Sequence, residues 1–404
     1  MNKVLKINEK VSWIGVLDRN IVTFDIVMET RFGTTYNSYF IDAEKKTIID
    51  TVKESFWDEY LRKIKLLVNP SDIEIIVVNH TEPDHSGCIK NLLELAPKAK
   101  VYGSRQAINY LNEIINQPFE YVIVKDDDTL SLGDKTLRFL SAPNLHWPDS
   151  IFTYLVEDKL LFTCDSFGAH FCDTQIFDDI VGDYSETFDY YFNVILKPFS
   201  KFMLKAIEKI EPLDIVSICP GHGPILRSNW KTMVERTRRA AELYLADSAC
   251  EGNQVLITYV SAYGFTKKMA EAIAGGIRER IQCNMQIVDI EKILPGELEE
   301  LIVRSNALLI GSPTINQNTV LPVYKLFSLI NPIRDKGKKA AVFGSYGWSG
   351  EAVKLIEDHL RQLKFNIVLD GMSSRFSPGN EKVLALKEFG QKFAEELLKD
   401  KNQN

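Results

Sequence analysis

The sequence predicts an α/β protein of two unlike domains, and three observations carry that expectation. Residues up to about 250 mix short apolar strands with helical runs in no regular order, the pattern of two sheets with helices packed outside them. After Gly252 strand and helix alternate strictly, as in a doubly wound parallel sheet of roughly 150 residues. Between the two lies "YLADSACEGNQ", a small, polar connection with neither period. A chain of 404 residues suffices for two or three domains at roughly 150 residues each. The expected domains are 1–250 and 251–404.

In the first domain "IVTFDIVME" and "TTYNSYFID" have strand character, and "KKTIID" returns as a hairpin through "AEK". "FWDEYLRKIKLLV" has helical spacing, and "IEIIVVN" is a short strand apolar on both faces. Further strands are expected at "KAKVYG", "YVIVK", "KTLRFLSA", "IFTYLVE", "KLLFTCD" and "DIVSICP", with a helix over Tyr190 to Glu211. In the second domain "VLITYV" leads to "TKKMAEAIAGGIRERI", "NALLIGS" to "LPVYKLFSLI", and "KAAVFGS" to "GEAVKLIEDHLRQL". "FNIVLDGMSS" and a terminal helix "EKVLALKEFGQKFAEELLKD" complete it.

Composition narrows the class. Hydrophobic residues at 45% and charged residues at 25% are ordinary globular usage. A net charge of −7 argues against a nucleic-acid partner, which needs concentrated positive surface. The basic cluster "RTRRAAE" reads as the solvated face of a helix. No apolar run approaches the ~18 residues needed to span a bilayer, and "MNKVLKINEKVSW" lacks the apolar block of an export signal. The six cysteines are scattered with no C-x-x-C pair, so free thiols in a reducing cytoplasm are expected, with no appended zinc ribbon or rubredoxin-type site.

Donor chemistry gathers at strand ends. "HTEPDH" places His80, Glu82, Asp84 and His85 directly after "IEIIVV". His146 lies in "APNLHWPDS", Asp165 ends "LLFTCD", and His222 lies in "CPGHGP" after "IVSI". Rigid sheets deliver sites at such exits, and imidazoles with carboxylates gathered there are what a dinuclear metal centre needs. His170, in "DSFGAHF", and Tyr191, in "DYYFN", are candidates to line its pocket; either can equally be a packing residue. His359 sits in a helix of the other domain and reads as structural.

The second domain offers three loops at the carboxyl ends of strands. Ser261, Tyr263, Gly264, Phe265 and Thr266 form a hydroxyl- and glycine-bearing turn before a helix, suited to a phosphate. Pro313, Thr314, Ile315, Asn316 and Asn318 form the second loop, and Ser345, Tyr346, Gly347, Trp348 and Gly350 the third. Tyr346, Trp348 and Asn316 suit a planar ring system in the crevice where such sheets bind ligands. No G-x-G-x-x-G follows a strand, which argues against a dinucleotide site.

The order HTEPDH…LHWPD…FTCD…PGHG resembles the metallo-β-lactamase fold, an αββα sandwich whose usual cluster is H-x-H-x-D-H. Glu82 stands where the hydrolases have a second histidine, and that departure is the signature of the flavodiiron proteins. The resemblance implies one iron on His80, Glu82 and His146, another on Asp84 and His222, and Asp165 bridging them. His85 generally stands behind the ligands in that family. Three imidazoles with three carboxylates and no thiolate suit iron or manganese. Two ferrous ions against three carboxylates leave one positive charge, which a bridging hydroxide neutralises. The three loops of the second domain resemble those of flavodoxin, one for the FMN phosphate and two for the isoalloxazine.

Covering nearly the whole chain, the resemblance implies an oxidoreductase with FMN and two non-haem irons per chain. It would reduce dioxygen to water or nitric oxide to nitrous oxide, in a scavenging role. Electrons would come from a separate carrier such as rubredoxin. A head-to-tail homodimer or homotetramer is implied, the FMN of one subunit beside the diiron site of the other, with Trp147 and Trp348 as candidate contacts. Many relatives carry Phe-His-Gly where this chain reads Phe24-Asp25-Ile26, so a preference between the two gases does not transfer. The rival readings are a zinc hydrolase with a flavodoxin-like binding domain and a non-catalytic electron carrier.

Overall fold

The computed structural model describes residues 4–24, 28–248 and 253–399. Two compact units, Met1–Tyr244 and Leu245–Asn404, make up the chain.

The first unit is built on two sheets. One has seven strands in the spatial order Leu5–Lys6, Val11–Trp13, Tyr39–Ile41, Lys46–Ile49, Ile73–Val77, Lys100–Gly103 and Tyr121–Ile123. It is antiparallel as far as Lys46–Ile49 and parallel beyond. The other orders Thr129–Ser131, Thr136–Ser141, Ile151–Leu155, Leu160–Cys164 and Ser217–Pro220, with only the last pair parallel.

Successive side chains on a strand face opposite ways, and both faces here are covered. Tyr39, Ile41, Ile75 and Val77 pack with Phe139, Phe162 and Cys219 between the sheets. Phe40 and Ile76 instead join Tyr60, Ile64, Leu92 and Leu111 under the helices Trp57–Lys65, Ile89–Leu95 and Arg105–Ile115. On the other side Phe152, Leu161 and Ile218 meet Met203 and Ile207 of the helix Ser200–Ile210. This is the αββα sandwich, and it explains why "IEIIVV" is apolar on both faces.

Three segments depart from the expected elements. "TTYNSYFID" is two strands, Thr34–Tyr36 and Tyr39–Ile41, because Asn37 leaves the ladder to hold another loop. "IVTFDIVME" is a hairpin pairing Thr23–Phe24 with Met28–Glu29; Asp25 and Ile26 lie outside the described residues. The expected helix from Tyr190 to Glu211 is broken into Ser185–Tyr191, a π-helical turn Phe192–Leu196, a short 3-10 turn Lys197–Phe199, and Ser200–Ile210. Pro198 has no N–H to give and its ring crowds the preceding turn, so a continuous α-helix cannot pass it.

The second unit is a parallel sheet ordered Asn284–Asp289, Gln254–Tyr259, Ala307–Pro313, Lys339–Tyr346, with Asn366–Ile367 and Met372–Arg375 both on the far side of Lys339–Tyr346. This is the flavodoxin-like strand order, with its switch point beside the first strand. Helices Phe265–Arg278 and Asn380–Lys399 cover one face, and Pro295–Arg304, Leu321–Leu329 and Glu351–Gln362 the other. The first pair touches through glycine: a Cβ on Gly276 would stand 1.9 Å from the Lys387 carbonyl oxygen. His359 stacks on Phe327, 4.1 Å between centroids, as a packing residue.

Among the described residues no helix is long and apolar enough to cross a membrane. Cys88, Cys164, Cys172, Cys219 and Cys283 are free thiols, and Cys250 lies outside the described residues.

Candidate metal centre

Every candidate ligand leaves the same end of the sandwich. His80 follows Ile73–Val77 by three residues, and Pro83 opens the one-turn helix Pro83–Ser86 that carries Asp84 and His85. Asp165 follows Leu160–Cys164, whose last residue takes the left-handed backbone (φ 46°). His222 follows Ser217–Pro220, and His146 lies in the loop after Thr136–Ser141. The first glycine of "PGHG" is required by packing, since a Cβ on Gly221 would meet His85 Cε1 at 2.7 Å.

The donors fall into two groups, with Asp165 turned to both. His80, Glu82, His146 and Asp165 converge in the first, and Asp84, His85 and His222 in the second. Glu82 Oε2 stands 3.2 Å from His80 Nε2 and 2.9 Å from His146 Nε2. Asp84 Oδ2 stands 3.1 Å from His222 Nε2 and 3.3 Å from His85 Nε2. Asp165 turns Oδ2 to the first group, 3.4 Å from both His80 and His146. Its Oδ1 faces the second, 3.0 Å from His85 and 3.4 Å from His222. One carboxylate oxygen for each group is the geometry of a bridging ligand.

These residues fit a pair of ions. Donors about 2.0–2.2 Å from a common metal stand roughly 3–3.5 Å apart at tetrahedral or octahedral angles. Both Asp84 oxygens and Asp165 Oδ2 are buried with no hydrogen-bond partner, although imidazole nitrogens lie close by. Atoms near in distance but out of line for a hydrogen bond are what convergence on an ion produces. Cys164 lies near His85 and Asp165, but burial raises its pKa and keeps it a thiol, so the imidazoles and carboxylates remain the ligand set, which matches iron or manganese. His85 is the one addition to the sequence-derived set: its Nε2 lies among the ligand atoms of the second group.

The carboxylates and imidazoles of the cluster shift one another's pKa values. Burial would discharge His80, but the hydrogen bonds it donates to the carboxylates of Asp149 and Glu82 outweigh it and raise its pKa well above the ordinary value. Against the same burial, Asp165 and Glu82 push His146 up to about 9, and Asp165 and Asp84 push His222 up to about 10. Burial disfavours the Asp165 carboxylate, yet His85, His146 and His222 hold it well below the usual range.

An outer layer fixes the ligands. Asp149 is fully buried, accepts from Thr81 N at 2.7 Å and Thr81 Oγ1 at 2.8 Å, and faces His80 Nδ1 at 3.2 Å. That leaves His80 Nε2 for the centre. His222 Nδ1 donates to the Thr35 carbonyl at 2.6 Å, which likewise frees Nε2. Asn37 clamps the same loop: its N donates to Gly221 O at 2.8 Å, and its Nδ2 to Pro220 O at 2.9 Å and Gly223 O at 3.0 Å. Trp13 Nε1 in turn donates to Asn37 Oδ1 at 2.8 Å. Sequence reasoning missed Asp149, Thr35 and Asn37; only Asp149, three residues after His146 in "HWPD", carried a signal.

Tyr191 and His170 both reach the site. Tyr191 donates its hydroxyl to Asp165 Oδ1 at 3.1 Å, and burial with that carboxylate beside it raises its pKa well above the ordinary value. His170 Nδ1 pairs with Thr34 Oγ1 at 2.8 Å, and its ring lies 4.9 Å from that of His222. Burial, then the nearby His222, lowers its pKa well below the usual value.

In the second unit the three predicted loops lie at the carboxyl ends of Gln254–Tyr259, Ala307–Pro313 and Lys339–Tyr346. Gly264 (φ 79°) turns the chain into the helix Phe265–Arg278, and Ser261 Oγ accepts from Lys267 N at 3.2 Å. Thr266 Oγ1 and Ser345 Oγ join the first and third loops at 2.9 Å. Thr314 N donates to Ser345 O at 2.8 Å, and Ile315 pairs with Asn318 across the turn of Asn316 and Gln317. Gly350 precedes Glu351–Gln362. Tyr263, Ile315 and Trp348 are exposed, the last at 77%. Trp147, by contrast, is half-buried, its ring 5.2 Å from that of His80.

Two family models match the chain, the ODP family beta lactamase over residues 34–223 and flavodoxin over 257–390. A type A flavoprotein of Rhodobacter capsulatus is 38% identical over 394 residues, covering 96% of this chain and 90% of its own. A nitric oxide reductase of Moorella thermoacetica is 34% identical over 404 residues, covering 98% and 99%. Among solved structures, rubredoxin oxygen:oxidoreductase from Desulfovibrio gigas is similar with a TM-score of 0.68 at 28% identity, covering 98% of each chain.

Proposed function

The chain belongs to the flavodiiron, or type A flavoprotein, family, and on that premise we propose its site roles, electron donor and assembly. Its activity is that of an oxidoreductase reducing dioxygen or nitric oxide with FMN and a diiron site. His80, Glu82 and His146 would hold one iron, Asp84 and His222 the other with His85 beside them, and Asp165 both. The observation that carries this reading is Asp165, with one oxygen turned to each donor group.

FMN on the loops of the second unit would supply electron transfer from a one-electron donor, and two irons on these ligands would supply reducing electrons to a diatomic substrate. The protein's own part is positional. Asp149 and the Thr35 carbonyl fix which imidazole nitrogen faces the centre. Tyr191 holds its hydroxyl on the bridging carboxylate, a placed O–H donor beside the reacting region. The Asn37 side chain holds the Pro220–Gly223 main chain, the loop that carries His222.

A small carrier of the rubredoxin kind is proposed as donor, since the similar Desulfovibrio protein is a rubredoxin oxygen:oxidoreductase. Exposed Trp348, at the loops proposed for FMN, supports a head-to-tail dimer in which the flavin is covered by a partner.

Stopped-flow mixing of the fully reduced protein with dioxygen or nitric oxide tests the function: fast reoxidation of flavin with a changed metal spectrum is expected. Slow flavin oxidation with the metal spectrum unaltered would leave an electron carrier. Glu82→His should turn the site towards zinc and abolish turnover while FMN stays bound. Retained oxygen reduction with normal iron would reject the ligand roles.

A further inference from the structure

We propose that the cavity lined by Arg31, Phe32, His170, Glu186, Thr187 and Tyr190 is the port through which a small uncharged diatomic reaches the metal centre. The inference rests on the function proposed above and adds a route that function does not specify. The cavity holds about 100 Å³, several times the ~30 Å³ share of one water in the liquid. Its floor is His170, whose ring lies 4.9 Å from that of His222 and 4.8 Å from that of Tyr191. A single aromatic ring therefore separates the cavity from a candidate ligand of the second ion and from the hydroxyl resting on Asp165.

That ring is held by packing more than by hydrogen bonds. His170 has one side-chain hydrogen bond, to Thr34 Oγ1, and its Nε2 has none; the rest of its fixing is contact with Phe24 at 4.3 Å and its neighbours. Rotation of the ring would break that one hydrogen bond. The mouth is also open. Arg31 and Glu186 face each other at 3.6 Å with side chains 72% and 82% exposed, a pair too solvated to act as a latch. Their charges cancel, so the mouth neither steers nor repels an ion, which suits a neutral gas. Phe32 and Tyr190 supply apolar wall.

The first ion has a different edge. The side chains of His146 and Glu82 are 15% and 10% exposed, whereas His85 and His222 are closed off.

Two measurements on the holoenzyme decide the matter. Xenon-pressurised crystals should show xenon in this cavity; a cavity that stays empty under pressure overturns the port. Thr187→Trp should fill it, lowering the second-order rate of nitric oxide binding to the reduced metal centre at least tenfold. Iron content, FMN content and the rate of flavin reduction should be unchanged. An unchanged binding rate in that variant overturns the port but leaves the function standing. An unmodified protein inert to both gases overturns the function, and the port with it.

Discussion

The two units prepare for their cofactors in opposite ways. In the first, every candidate ligand but His146 is buried, and each of His80, His222 and Asp165 is already held by a neighbour: Asp149, the Thr35 carbonyl and the Tyr191 hydroxyl. In the second, the loops are joined by a few hydrogen bonds while Tyr263 and Trp348 stand in solvent. An ion tolerates only small errors in ligand position, and buried carboxylates need compensation whether or not it is present. A flavin brings its own large apolar surface, so its loops can wait exposed. The metal unit should therefore be sensitive to single atoms and the flavin unit tolerant.

Asp165 gives the most severe break. Asp165→Ala removes the one residue shared by both donor groups and leaves imidazoles without the carboxylate that charges them. Occupancy of both ions should collapse and reductase activity fall at least roughly a thousandfold, with FMN content intact. Metal analysis beside the flavin absorbance checks this; full occupancy of either site denies the bridging role.

Asn37 sharpens the comparison, because it touches no ligand. Asn37→Ala removes two donors from the Pro220 and Gly223 carbonyls and leaves Trp13 Nε1 without its acceptor, all buried. A cost of about 2–4 kcal/mol is expected, with affinity for the ion beside His222 weakened some 10–100-fold. The ion held by His80, Glu82 and His146 should be spared. Metal titration of the stripped protein, followed by a site-resolved iron spectrum, distinguishes this from general loosening, which would weaken both sites together.

The metal-free first unit should also respond to pH. His146 and His222 have folded pKa values of about 9 and about 10, raised against burial by their carboxylates, compared with ~6.5 unfolded. A raised pKa contributes stability that is complete below about 6.5 and is lost as pH climbs through 9 and 10. Stripped protein should lose roughly 5–10 °C of melting temperature between those limits. Iron-loaded protein should not, since its imidazole nitrogens are occupied by metal at either pH.

Much of this was legible in the sequence, for reasons that differ between residues. That His80, Glu82, Asp84, His146, Asp165 and His222 gather in one place was readable because donors at strand exits have a chemical type and a fixed order. The strand–helix alternation after Gly252 gave the second sheet in the same way. Asn37 and Thr35 were not readable, since one acts through its amide and the other through its carbonyl on a loop some 185 residues later. "TTYNSYFID" looked like one strand because β-branched and aromatic residues hid a turn made by a tertiary bond. The break after Tyr191 was signalled by Pro198, but the π-helical turn before it has no pattern of its own.

The mildest break belongs to the flavin unit. Trp348 is 77% exposed, so its side chain contributes little to folding, and Trp348→Ala should shift the melting temperature by less than about 1 °C. If it stacks on the isoalloxazine, its loss removes about 0.5–1.5 kcal/mol of ring contact, a two- to tenfold weaker hold on FMN. Fluorescence of released flavin on dilution measures that directly, and the iron content of the same sample should be unchanged. An FMN affinity unaltered by the substitution would remove Trp348 from the flavin site and leave its exposure to be explained by a protein contact instead.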